Sequence, residues 1–411
     1  MAGIVNGELK VKKDWEKKKI DDCFVQIING ANIKQVKDGN GIPITRIETI
    51  SNDVFNRDRM GYANISDAKN YEKYILQDNT ILMSHINSMK FLGRSVLYEK
   101  MNDEIIIHGM NLLNLIPASF IQPKYACLYF QTSKFRNDIK SISHQSVNQA
   151  SFNITSLKSI SIPVPPLEEQ KRIVKILDEK FAQLETIKTN AQTNLQNAKD
   201  LFQSQLTKTF SNTTWEKKRL QDCSSIIGDG LHGTPKYDEN GNYYFINGSN
   251  LTITDIVFTP ETKRVNKTEY QKYKVELNEN TVFLSINGST LGKRTAFYNN
   301  EPVILGKSAC YINVKSNTLN KYFLRHFLSS DIFQEYAWKE KTGAAIPNLG
   351  LKAMRDLKIP LPPLPEQKCI VKELDTLSEK VRQLQKIYTK QIANCDELKQ
   401  SYLQKAFEGE L

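Results

Sequence analysis

At 411 residues the chain exceeds one ordinary domain, and its 40% of apolar residues is enough core material to exclude wholesale disorder. Its formal net charge of +11 is divided evenly: +5 over residues 1–162, +1 over 163–210, +5 over 211–359 and zero over 360–411. That balance suits a polyanionic partner. The six cysteines form no C-x-x-C pair, which argues against a zinc ribbon or a disulfide framework, and no apolar run reaches membrane-spanning length, so a cytoplasmic setting is expected.

In chain order, the first half opens on Trp15, Glu16 and Lys17, and residues 42–44 and 105–107 read as short strands between turn residues. Residues 125–138 read as a helix. A proline-rich box at 162–171 then leads into a long helical pattern that runs to Phe210. In the second half, residues 243–246, 281–284 and 309–314 read as strands and residues 322–338 as a helix. A second proline-rich box at 359–368 opens a second long helical pattern, and Gly409 stands just past its last apolar position, where a C-terminal cap belongs.

The chain is written twice. Residues 15–23 recur as 215–223 at an offset of 200, and the box at 162–171 recurs as 359–368 at an offset of 197. The 197 register persists through Gln203, Ser204 and Phe210, which match Gln400, Ser401 and Phe407. Between the shared stretches the two halves differ. Each proline run suits the first helical position, and Glu168, Glu169 and Glu366 complement the positive end of the helix dipole.

Each shared helix carries a heptad-like stripe. In the first it passes through Val174, Leu177, Phe181, Leu184 and Leu195, interrupted at Lys188; in the second, through Val371, Leu374, Val381, Tyr388 and Ile392. Residues 211–214 alone separate the first helix from the second globule, so the second helix must run back along the first to bury its stripe. The expected fold class is α+β: two mixed α/β globules at opposite ends of a long antiparallel two-helix coiled coil, related by a pseudo-two-fold internal repeat. The expected partition is a globule at 1–162, a spacer helix at 163–210, a globule at 211–359 and a spacer helix at 360–411.

Two such proline boxes, each opening a long helix and each preceded by a dissimilar globule, resemble the specificity subunit of type I restriction-modification enzymes. The resemblance extends to residues 229–237 (Asp-Gly-Leu-His-Gly-Thr-Pro-Lys-Tyr), to Gly343 through Leu349, and to the closing residues 405–411. The first globule departs from it: residues 148–153 echo the second-half segment at 346–350 loosely, and no Asp-Gly-x-His segment is present there. The resemblance implies that each globule is a target recognition domain reading one half of a bipartite double-stranded DNA site. It implies that the helices set the spacing and dock two modification (methyltransferase) subunits, joined by restriction/translocase subunits. S-adenosylmethionine would be held by those methyltransferases, and this chain would hold no cofactor.

Phosphate neutralisation by two basic globules would position the protein, and polar side chains on loops would read base edges. The candidate contacts fall on loops 32–46, 84–94, 228–236 and 285–294. In the first half they are Lys34, Arg46, His85, Asn87, Lys90 and Arg94; in the second, His232, Thr234, Lys236, Asn287, Ser289, Lys293 and Arg294.

A catalytic reading finds no residues to carry it. Neither a dinucleotide nor a P-loop phosphate motif occurs, and the Asn-Pro-Pro-aromatic signature of adenine methyltransferases is absent. The five histidines show no metal-ligand spacing. Trp15 and Trp215, at the repeat starts, are expected to pack a helix end against its globule rather than to stack on bases. The alternative function is a coiled-coil adaptor joining two protein-binding globules. The even charge split favours DNA, and steep salt dependence would separate the two.

Overall fold

The computed structural model describes residues 4–5, 8–9, 15–36, 39, 41–147 and 149–411. The chain divides into two compact units: unit 1 comprises Met1–Ala191 and Lys390–Leu411, and unit 2 comprises Gln192–Thr389.

The units share one plan despite their dissimilar sequences. Unit 1 holds a four-stranded antiparallel sheet in the order Ser95–Tyr98, Thr80–Ser84, Leu112–Pro117, Phe24–Asn29. Unit 2 holds the same sheet as Thr295–Phe297, Thr281–Ser285, Ala309–Val314, Ser224–Asp229. The inner strands are buried on both faces, and alternate residues enter different cores. In unit 2, Val282, Leu284, Cys310 and Ile312 join one cluster, while Phe283 and Tyr311 join another with Ile246 and Leu305. In unit 1, Ile81 and Met83 face one cluster, and Leu82 faces a second with Val96 and Tyr98.

The repeated boxes turn out to be partners. Lys17–Lys19 pairs antiparallel with Ser161–Pro163, and Lys217–Arg219 pairs in the same register with Lys358–Pro360. The flanking bonds match too. Val164 N donates to Glu16 O and Leu361 N to Glu216 O, both at 2.8 Å. The start and end of each repeat are thus stitched together where a long helix begins.

One glutamine fastens that helix to its globule. Gln170, wholly buried, accepts the backbone N–H of Gln122 at 2.8 Å and donates from Nε2 to Phe120 O and Pro165 O, both at 2.9 Å. Gln367, also wholly buried, accepts from Asn320 N at 2.8 Å and donates to Thr318 O at 3.0 Å and Pro362 O at 2.9 Å. A side-chain amide is suited to this position because it offers a donor and an acceptor without bringing a charge out of water. Ion pairs at a matched position add to the attachment: Lys124 Nζ meets Asp178 at 2.8 Å, and Arg325 Nη2 meets Asp375 at 2.7 Å.

The long helices are Leu167–Phe210 and Leu364–Phe407, 44 residues each, or about 65 Å at 1.5 Å per residue. Each begins in one unit and ends in the other. Within unit 1, Ile173, Val174 and Leu177 from the start of the first pack with Leu403 and Ala406 from the end of the second. Within unit 2, Leu206 and Phe210 share a core with Val371 and Leu374. The helices therefore run antiparallel. Of the expected stripe, Val174, Leu177, Leu184, Val371, Leu374 and Val381 are buried, while Phe181, Leu195, Tyr388 and Ile392 are half-buried. Lys188, the break in the stripe, places its ammonium 2.6 Å from Asp396 of the opposing helix. Gly409 takes a left-handed φ of 74°, and Glu410 N closes back on Lys405 O at 2.9 Å.

Three expectations are corrected. The helix read over 125–138 is two, Pro123–Tyr129 and Ser133–Ile142, because Thr132 accepts Phe135 N and donates to Tyr129 O. That over 322–338 is likewise two, Lys321–Leu328 and Asp331–Glu340, split at Ser330, whose hydroxyl accepts Phe333 N and donates to Phe327 O. A hydroxyl cap stops one helix and starts the next inside an apolar pattern that masks it. Residues 105–107 form no strand; Ile107 makes single bridges to Ile44 and Ile75.

Candidate nucleic-acid interface

In unit 2, three loops converge at one end of the sheet. The first leaves the edge strand at Asp229. Gly230 lies so close to the neighbouring chain that a Cβ there would sit 2.1 Å from Leu305 O, and this approach lets Leu231 bridge Gly306. His232 follows, 71% exposed at its side chain, with Nε2 2.7 Å from the Asp229 carboxylate. Thr234 and Lys236 are exposed beyond it, and Lys236 N donates to the buried Glu269 carboxylate at 2.9 Å.

The second loop follows strand Thr281–Ser285. Gly292, at φ +72°, makes the turn, with Gly292 N bonded to Ser285 O and Ser285 N to Arg294 O. Ser289 and Lys293 are exposed. Arg294 is half-buried and donates to Ser249 O at 2.7 Å. The third loop is a hairpin over 342–348, closed by reciprocal backbone bonds between Thr342 and Asn348 at 2.8 and 2.9 Å. Asn287 Nδ2 donates to Asn348 Oδ1 at 3.2 Å and Gly288 N to Pro347 O at 2.9 Å, joining the second loop to the third. Asp229, His232, Asn287, Lys307 and Asn348 line a cavity of about 200 Å³ where the three meet. Such a surface offers amide donors and acceptors, an imidazole and an ammonium to the edges and phosphates of a duplex.

Unit 1 repeats the arrangement. Ala31 bridges Gly109 as Leu231 bridges Gly306. Gly93, at φ +74°, bonds Ser84 O as Gly292 bonds Ser285 O. Asn87 pairs with Ala150 of the hairpin strand, and Phe152 N bonds His85 O as Leu349 N bonds Ile286 O. The segment at 148–153, a loose echo in sequence, thus holds the structural place of 346–350, with Asn148 outside the described residues.

The candidate contacts of unit 1 divide by exposure. Lys34 and Lys90 are exposed, and Asn87 is half-buried with Nδ2 3.2 Å from Ser84 Oγ. Two arginines brace the structure: Arg46 pairs with Glu48 at 3.5 Å, and Arg94 pairs with Asp53 at 3.3 Å while its guanidinium lies 4.5 Å from the Phe91 ring centre. His85 corrects the expectation of an outward-facing contact. It is 7% exposed and edge-on to Phe152, and burial lowers its pKa to about 4. It supports the loop from beneath as a neutral ring.

Sequence reading missed Asp229, Lys307 and Asn348, and with them a basic and aromatic flank on unit 2. There the Lys263 ammonium lies 5.8 Å from the Tyr237 ring and the Arg264 guanidinium 4.8 Å from that of Tyr244. Asp229, three residues before His232, was available to a spacing argument; Lys263 and Arg264 are brought beside Tyr237 and Tyr244 by strand pairing between Tyr243–Ile246 and Arg264–Val265, which carries no local signal. Trp15 packs among Tyr125, Leu177 and Leu403, and Trp215 Nε1 donates to Glu366 at 3.2 Å, so both tie a helix end to its globule. No helix among the described residues is long and apolar enough to cross a membrane.

A duplicated unit with polar loops gathered at one end of a sheet, stitched to long antiparallel helices, defines a class of two-site recognition proteins. The chain belongs to the family of the type I restriction modification DNA specificity domain, whose model matches it twice, over residues 12–195 and 212–392. A provisionally named specificity subunit of the type I restriction enzyme MjaX from Methanocaldococcus jannaschii is 28% identical over 391 residues, covering 90% of this chain and 88% of its own. The specificity subunit of the type I restriction enzyme StySPI from Salmonella potsdam is 27% identical over 398 residues, covering 90% and 82%. Among solved structures, a chain from work on complex assembly and conformational transition of the type I R-M system superposes with a TM-score of 0.76 at 18% identity, covering 97% of this chain and 98% of its own.

Proposed function

We propose that this chain is the DNA specificity subunit of a type I restriction-modification complex, a binding and scaffolding protein with no catalytic role of its own that works in the cytoplasm. Residues 1–162 and 211–359 are the two target recognition domains, each reading one half of a bipartite duplex site. Helical segments 163–210 and 360–411 set the spacing and dock two methyltransferase subunits, which hold S-adenosylmethionine; restriction/translocase subunits complete the assembly. The observation that carries this reading is the double construction of one polar site. The same loop, turn glycine and hairpin recur around Asn87 and Asn287 in units whose sequences otherwise differ. A repeated frame with different side chains is what reading two different half-sites requires.

Within that frame, Lys34, Lys90, Lys236 and Lys293 are assigned to phosphates, and Asn87, His232, Thr234, Asn287 and Ser289 to base edges. Arg46, Arg94 and Arg294 hold the loops in shape, and each can exchange its present partner for a phosphate. For docking, the helices leave Ile187 and Leu201 exposed on the first and Leu384 and Leu398 on the second, at the repeat offset of 197. Apolar residues exposed in matched pairs suit two copies of one partner.

The test is a methylome. The chain is expressed with its methyltransferase subunit and adenine methylation is mapped by single-molecule sequencing. The expected result is one bipartite motif, methylated once on each strand and lost when this chain is omitted; an uninterrupted motif from an assembled complex would refute the two-reader model.

A further inference from the structure

Each unit carries an aliphatic side chain at the tip of the hairpin beside its polar loop. In unit 1 the hairpin pairs His144 with Ser151 and Gln145 with Ala150, Ser146 N closes on Gln149 O at 2.7 Å, and Val147 at the tip is 97% exposed. In unit 2 the hairpin closed by Thr342 and Asn348 holds Ile346, 63% exposed. Single exposed aliphatics are ordinary on protein surfaces and by themselves mean nothing. Val25, for example, is 72% exposed on strand Phe24–Asn29, and its counterpart 200 residues on is Ser225.

The tips differ from Val25 in two respects. One lies in each unit, in the hairpin beside the polar loop, where the surrounding sequences have little in common. Both hairpins are also bonded directly to the loop assigned above to base edges, through Ala150 to Asn87 and through Asn348 to Asn287. Cations stand on the adjoining elements: His144, Lys140 and Lys90 on those next to Val147, and Lys339, Lys341 and Lys307 on those next to Ile346, which shares its loop with the exposed Ala344 and Ala345. A protein partner would call for a larger apolar patch, whereas a small aliphatic tip with cations on the adjoining elements suits a polyanion that carries isolated apolar groups. Duplex DNA has one such group in its major groove, the 5-methyl of thymine.

We propose that Val147 and Ile346 are specificity-determining residues, each taking the methyl group of a thymine in the half-site read by its own unit. The inference rests on the DNA-reading function proposed above and adds two residues and a base to it. The hairpin supplies a stiff mount, and Asn87 or Asn287 at its base fixes the height of the tip over the groove. Burying one methyl group in such a contact corresponds to about a fourfold change in affinity, from about 0.8 kcal/mol per buried carbon.

The test uses the full chain assembled with its methyltransferase subunits and duplexes carrying the motif from the methylome. Each thymine is replaced in turn by deoxyuridine, which removes the methyl group and nothing else. The unsubstituted protein is expected to bind about fourfold more weakly when one particular thymine in either half-site is replaced. Ile346→Ser should abolish that sensitivity in one half-site and keep it in the other, Val147→Ser should do the reverse, and Ile346→Val should retain it. A half-site without a sensitive thymine, or sensitivity unchanged in both serine variants, would overturn the assignment while leaving the two-reader function standing. Serine variants that lose their methyltransferase subunits yet keep thymine discrimination would assign the tips to a protein partner and overturn it equally. Absence of any bipartite motif in the unsubstituted complex would remove the function and this inference together.

Discussion

Gln367 sits wholly out of water and satisfies three backbone groups that belong to two different segments, the turn before helix Lys321–Leu328 and the proline run that opens the second long helix. Its value lies less in the bonds made than in the groups that would be orphaned without it, since a buried unpaired amide or carbonyl costs about 1–3 kcal/mol. Replacing Gln367 with Ala is therefore expected to destabilise unit 2 by about 3 kcal/mol or more. Gln367→Glu should recover little of this, because a carboxylate cannot donate to Thr318 O or Pro362 O. Urea denaturation followed by hydrogen exchange resolved to each unit would check the point: Gln367→Ala should lower protection in unit 2 and Gln170→Ala in unit 1, each sparing the other. Equal loss in both units would mean that the glutamine couples the whole chain. At this scale the sequence was partly legible. The Glu-Gln of each proline box was visible as a repeat, but nothing local showed that its glutamine points inward, because its three partners are backbone groups up to about fifty residues away. His85 illustrates the opposite failure. A histidine in a polar loop reads as exposed, and strand pairing of the flanking residues turned it beneath Phe152 instead.

Elements with long, regular periodicity were the most readable. The heptad stripe and the proline box together specified both long helices, because a pattern sustained over many turns admits few alternatives. Short elements were harder: Ser330 and Thr132 cap new helices inside apolar runs, and the parallel pairing of Tyr243–Ile246 with Val303–Leu305 joins segments some sixty residues apart. The stripe's one polar member defines a prediction of its own. Lys188 is 27% exposed and its ammonium meets Asp396, itself 63% exposed. A partly screened pair of this kind contributes little net stability. Burying a leucine at the same seam position contributes about 1 kcal/mol or more. Lys188→Leu is therefore expected to raise the thermal midpoint of unit 1. The ion pair would then serve register, as single polar groups in coiled-coil seams do. Crosslinking between cysteines placed along the two helices would test this, with off-register products expected in Lys188→Leu and absent from the unsubstituted chain. A lower midpoint would show instead that the pair is a true stabilising contact.

For the molecule as a whole, the repeat makes a metric prediction. Each long helix begins in one unit and ends in the other, so a matched insertion in both lengthens the connection without altering either recognition domain. Seven residues added after Ala191, and seven after Thr389, preserve the heptad phase of the seam and lengthen each helix by about 10 Å. At about 3.4 Å per base pair, the unread gap between half-sites should widen by about three pairs. The half-site sequences themselves should stay as they were, since Asn87, Asn287 and the loops around them are untouched. An insertion of four residues per helix breaks the heptad phase of the seam at the inserted segment and should abolish methylation rather than shift the motif. These outcomes separate two roles the helices could have. If the methylome of the seven-residue variant shows the original gap, the docked methyltransferases fix the spacing and the helices are attachment sites; a gap wider by about three pairs makes the helix pair itself the ruler.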